Sequence, residues 1–98
     1  MKLPKQREEV RILGKQLLRS GTSVAAHVRE ASRARSDAEF TSKLGGALQE
    51  ADETALWLEL LREECGVDVA LTRSLEDESS ELIAIFTTMI NRTRDRAA

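Results

Sequence analysis

The chemistry open to this chain is bounded by its scarce reactive residues. His27 is the only histidine and Cys65 the only cysteine. A nucleophile–base pair would need His27 beside Ser, Thr or Cys65, with a carboxylate to orient the imidazole. The residue types are present, but no spacing singles out such a set. A carboxylate-bridged metal site in a helical bundle needs Glu-x-x-His on two helices together with further Glu. His27-Val28-Arg29-Glu30 offers the reverse order once. Gly45-Gly46 is no phosphate loop, because it lies within a helical pattern with no strand before it. Glu50 and Glu53 flank an apolar stripe, where a buried acid would need Arg29 or His27 as partner. A solvated acid, or a polar clasp that fixes register, is the simpler reading. His27 itself, between the stripe residues Val24 and Val28, reads as a packed or capped polar group. No catalytic, cofactor-binding or metal-ligating residue is assigned, and the expectation is a protein that is not an enzyme and carries no cofactor.

Charge is the other candidate carrier of function. Residues 1–36 hold nine bases and three acids, a net +6; residues 37–91 hold three bases and thirteen acids, a net −10. The tail 92–98 returns +2, and the whole chain carries −2. Two readings compete. In one, basic and acidic helices attract each other within or between subunits. In the other, Arg29, Arg33 and Arg35 with Arg92, Arg94 and Arg96 form a patch that binds the phosphates of RNA or DNA. Nucleic-acid domains usually have a basic total, which favours the first.

The elements that must position these groups are three helices. Val10, Leu13, Leu17, Val24, Val28 and Ala31 recur at steps of three, four or seven, one stripe on one helix face. With Leu3-Pro4 opening it, the first helix spans about 5–31, and Ser20-Gly21-Thr22-Ser23 is the expected bend because mid-helix glycine is costly. Gly21 there is expected to let another helix approach closely, with Ser23 hydrogen-bonded to a neighbouring backbone or carboxylate. Ser36-Asp37-Ala38-Glu39 has capping-box spacing. It opens a second helix over 37–65, with the stripe Phe40, Leu44, Ala47, Leu48, Ala51, Ala55, Leu58, Leu61 and Cys65, closed by Gly66. Asp68 caps a third helix over 69–94, striped by Leu71, Leu75, Leu82, Phe86, Met89 and Ile90. Nothing alternates with period two. The fold class is all-α, an antiparallel up-down helical bundle in one domain, residues 1–98.

Leu56, Trp57 and Leu60 on the second helix and Ile83 and Ile85 on the third lie off these stripes. A helix apolar on two sides is buried on two sides. These five residues are the expected oligomer interface, through which three helices per chain complete a four-helix-bundle-like core. A homodimer is favoured, since a two-fold axis buries a self-complementary patch most simply. With 98 residues, one cysteine and no metal cluster, assembly is the remaining route to a secure core. No apolar run reaches the roughly 18 residues of a membrane span, and the N-terminus lacks the apolar segment of a signal peptide. A cytoplasmic protein with no membrane and no small-molecule substrate is expected.

Gln16-Leu17-Leu18-Arg19-Ser20-Gly21-Thr22-Ser23-Val24, followed by Arg29-Glu30-Ala31 and Arg33-Ala34-Arg35-Ser36, resembles a motif of the bacterial four-helix bundle family. That family includes proteins encoded in intervening sequences of large-subunit ribosomal RNA genes. A second motif is matched by Ala38-Glu39-Phe40, Lys43-Leu44-Gly45, Leu48-Gln49-Glu50-Ala51-Asp52-Glu53-Thr54 and Trp57-Leu58-Glu59-Leu60-Leu61. The resemblance spans about residues 3–94 and implies an antiparallel bundle, often a homopentamer, which is the alternative to the dimer. It attributes no catalytic residues and leaves most members without a known function. One relative binds nucleic acid and a reverse transcriptase, so the resemblance implies an assembly or adaptor role linked to RNA or a nucleic-acid enzyme. Members usually carry a further helix before the Leu-Pro that is Leu3-Pro4 here, and the Asn-aromatic pair after their Ser-Val-small-Ala run is His27-Val28 here. Three helices are therefore expected where the family has four, with another subunit supplying the missing cover.

Overall fold

The computed structural model describes residues 5–97, which form α1 (Lys5–Ser32), α2 (Asp37–Glu63) and α3 (Val69–Ala97), with no strand among the described residues. The helix start at Leu3-Pro4 lies outside them. α1 runs unbroken through Gly21. The hydroxyls that follow Leu17 turn back onto the helix, Ser20 to the Leu17 carbonyl (3.2 Å) and Thr22 to that of Leu18 (2.8 Å). Those bonds keep the hydroxyls satisfied without a break in the helix.

The caps are built from the residues that spell them. Ser36 Oγ accepts from the Glu39 amide (3.0 Å), and the Glu39 carboxylate accepts from the Arg35 amide (3.3 Å). Gly66 closes α2 in the left-handed region at φ 64, where a glycine carries no Cβ penalty. Asp68 Oδ1 accepts from the Leu71 amide (3.1 Å) to start α3.

Arg19 meets Glu53 at 2.9 Å while Glu30 meets Lys43 at 2.7 Å, so α1 and α2 run in opposite directions. Arg62 on Glu76 (2.9 Å) and Arg96 near Asp37 (3.7 Å) show the same for α2 and α3. The Arg62 guanidinium grips Glu76 with two donors and holds its carboxyl below the ordinary range, although burial pulls the other way. Cys65 is buried, and desolvation, then Glu9 and Glu64, push its thiol up.

α2 is the centre of the molecule. Its Leu44, Ala47 and Ala51 gather Ala31 from α1 and Phe86 and Ile90 from α3 into the main core. α1 and α3 each pack on α2, yet no Cα of one comes within 8 Å of the other. The result is an open arrangement measuring 58 × 23 × 14 Å, with a gap where two outer helices would meet in a closed bundle.

That openness explains where the apolar stripes of α1 and α3 depart from expectation. Of the α3 stripe, Phe86 and Ile90 are buried, while Leu71, Leu82 and Met89 are exposed. The row that α3 turns to α2 is Thr72, Ser79, Phe86, Ile90 and Thr93. Thr72 and Thr93 can be buried there because each hydroxyl bonds a carbonyl of its own helix. On α1, Val28 is exposed, and Ser20 occupies a fully buried slot in the seam. Thr54 of α2 donates to the Ser20 hydroxyl at 2.9 Å. Ser20, rather than Ser23, therefore makes the hydroxyl contact between helices.

Candidate functional site: an open groove and a basic pole

Small residues one to two turns apart shape a groove over α2. Gly14, Leu17, Leu18, Gly21, Thr22 and Ala25 form its α1 wall, Thr54 and Leu58 its floor, and Leu75 its α3 wall. Its volume is about 480 Å³. Beyond the adjoining residues and the backbone of α1 itself, no heavy atom lies within 4 Å of where a Cβ would sit on Gly14 or Gly21. The close approach expected at Gly21 is thus absent inside the chain, and that glycine faces empty space. Leu18 stands beside it, 68% exposed.

The groove continues along both outer helices. On α3 the positions 71, 75, 78, 82, 85 and 89 advance by alternating steps of four and three, one face of a helix. They hold Leu71, Leu75, Glu78, Leu82, Ile85 and Met89, of which only Leu75 is not exposed. The matching α1 row is Arg11, Gly14, Leu18, Gly21, Ala25 and Val28. An apolar face of this extent is unusual for a protein that stays alone in water.

The five residues expected to form one oligomer surface are dispersed. Ile85 is on the groove face, whereas Ile83 packs against the core cluster. Leu56 and Leu60 lie two positions either side of buried Leu58, about 200° round the helix, and so point away from the groove. Leu60 instead borders a shallow depression with Glu9, Ile12, Leu13 and Glu64. Trp57 is half-buried, and its indole N–H is sealed from solvent with no acceptor among the described residues, a cost of about 1–3 kcal/mol. An off-stripe position on the sequence does not say which side of the helix its neighbours leave open, and the groove was legible only in the Gly14, Gly21 and Ala25 spacing.

The six arginines, by contrast, are brought together. Antiparallel packing puts the C-terminal ends of α1 and α3 at one end of the molecule with the start of α2. Arg29, Arg33, Arg35, Arg92, Arg94 and Arg96 are all exposed there. Arg35 and Arg96 line one depression with Ser36 and Phe40, and Arg94 lines the next with Thr41 and Thr93. Among the described residues only Arg96 of these six has an acidic partner, Asp37.

Glu50 and Glu53 both face Arg19, at 3.6 and 2.9 Å, so they clasp α1 to α2. No three His, Cys, Asp or Glu side chains gather as metal ligands among the described residues. His27 Nδ1 lies 3.1 Å from the Ser23 carbonyl, which requires the proton on Nδ1. Its ring lies over Gly46, where an added Cβ would overlap it. The glycine that a close approach demands is therefore Gly46. Gly46→Ala should cost about 1 kcal/mol in urea unfolding, the overpacking exceeding the gain in helix propensity. In a His27→Ala background the same change should stabilise by about 1 kcal/mol. A cost in both backgrounds would mean that the ring is not what excludes the methyl.

The profile of the family described as 23S rRNA-intervening sequence protein matches residues 1–88. The chain belongs to this family. A crystal structure of a protein of unknown function from the S23 ribosomal protein family, from Bacteroides thetaiotaomicron VPI-5482, is similar to it with a TM-score of 0.77. The two are 42% identical, over 81% of this chain and 73% of that one. No curated protein matches the sequence. No helix of the described residues is long and apolar enough to cross a membrane.

Proposed function

We propose that this chain is a non-enzymatic assembly or adaptor protein that works as a homo-oligomer, its groove closed by a second copy. The carrying observation is the α1–α3 gap over α2, where Leu18 and Ile85 stand in solvent beside two open glycines. A copy of the same chain brings an identical face, so one two-fold axis covers both grooves at once. Three helices from each copy then complete a four-helix-bundle-like core. The homopentamer implied by the family resemblance is the alternative closure. The role fits a cytoplasmic protein associated with RNA or a nucleic-acid enzyme, in keeping with a family described by its place in 23S ribosomal RNA genes. The reading is tested by melting the protein over a hundredfold range of concentration. An obligate oligomer melts higher as concentration rises, by mass action. A concentration-independent melt would refute it.

A second reading is favoured by the pole. Six exposed arginines, five without an acidic partner among the described residues, converge from segments some sixty positions apart. Such a surface suits direct contact with nucleic-acid phosphates. Binding to RNA that weakens steeply and log-linearly with salt would support it, and salt-insensitive binding or none would remove it.

A further inference from the structure

We infer that the side of α2 turned away from the groove docks a basic, partly apolar segment of another protein. That segment lays an apolar side chain on Leu56 and Leu60 and sets an arginine or lysine between Glu9 and Glu64. α2 is apolar on two sides, and its packing against α1 and α3 accounts for one of them. The other holds exposed Leu56 and, one turn on, half-buried Leu60. Exposed Ile12 extends the row onto α1, and with Leu13 and Leu60 it lines a depression of about 330 Å³ whose acids are Glu9 and Glu64. This surface lies behind the groove, so it stays free whichever way the groove is closed.

What surrounds the leucines selects the partner. The helical neighbours of Leu56, three and four positions away, are Asp52, Glu53, Glu59 and Leu60. Those of Leu60 are Leu56, Trp57, Glu63 and Glu64. Among the described residues Asp52, Glu59 and Glu64 make no ion pair. The two bases of α2, Lys43 and Arg62, are engaged by Glu30 and Glu76. On the α1 side Arg19 is held by Glu50 and Glu53, which leaves Lys15 at the edge. Charge alone would make a solvated face; the leucines set within it are what a partner covers. In any orientation the same face of a second copy brings α2 acids and no free α2 base, and like charges oppose association. An arginine or lysine fits instead. Its methylene stem lies on Ile12, Leu13 and Leu60, and its charged head meets the two carboxylates. The same acids repel phosphates, so this surface and the arginine pole at the start of α2 suit different partners.

The probe is a fluorescently labelled synthetic helix of leucine and arginine, with leucines four positions apart, titrated by anisotropy at about 0.15 M salt. A leucine–glutamate helix of the same pattern is its control. The leucine–arginine helix should bind and the control should not. Leu56→Ser and Glu64→Lys should each weaken binding about tenfold, with helix content kept because both side chains are exposed. Two changes elsewhere should leave the affinity unaltered. One is Leu82→Ser on the groove face. The other is Asp77→Lys, two positions from buried Ser79 and so about 200° round α3 from the seam. Three results overturn the proposal: no binding, a loss with Asp77→Lys equal to that with Glu64→Lys, or a loss with Leu82→Ser in place of Leu56→Ser, which puts the peptide in the groove. Open-ended assemblies of the protein alone that Glu64→Lys dissolves would also overturn it, because the arginine pole of another copy would then be the occupant.

Discussion

Leu44→Ala lowers the free energy of unfolding by about 2–5 kcal/mol. Leu44 is 2% exposed and sits in the one cluster to which all three helices contribute, with Ala31 on one side and Phe86 and Ile90 on the other. Its neighbours on α2, Ala47 and Ala51, have no length with which to fill the space it leaves. Since domains of this size are stable by only about 5–15 kcal/mol, urea denaturation at fixed protein concentration should show a large fall in the midpoint. Leu56→Ala is the control. At 46% exposed on the side away from the groove, it should change stability by about 0.5 kcal/mol at most. Equal effects at the two positions would mean that α2 is not the centre of packing.

Leu18→Glu separates association from folding. Leu18 projects from α1 with 68% of its surface in water, so within one chain a carboxylate there costs little. In the proposed assembly it would be pressed into the partner's groove. A charge buried at an interface centre without a partner costs 2 kcal/mol or more, about a thirtyfold loss of affinity. Sedimentation should show the variant dissociating at concentrations where the unaltered protein does not, with far-UV dichroism kept. Unchanged sedimentation would place the interface elsewhere.

How far the sequence reached follows from what each residue has to do. Helix positions were legible because Ser36, Gly66 and Asp68 act on their own backbone within three or four residues. The α2 stripe was legible because α2 is packed from two sides, and its apolar spacing coincides with its burial. The α3 stripe misled because it mixes two faces, one turned to α2 and one to the groove. Thr72, Ser79 and Thr93 then look like surface residues while lying in the seam. Period reports which face avoids water, and it does not say whether the cover comes from the same chain. The convergence of the arginines needed the antiparallel packing of α1 and α3 on α2, since nothing local links Arg35 to Arg96. Gly46 gave no sign of its role because its partner, His27, is on another helix.

The claim that most depends on the open groove is that a second copy closes it. Light scattering coupled to size exclusion, at tens of micromolar and moderate salt, measures this directly. One chain is 10.9 kDa, so the account predicts a species of about 22 kDa. A folded, fully helical protein that holds a mass of 10.9 kDa at that concentration would contradict it.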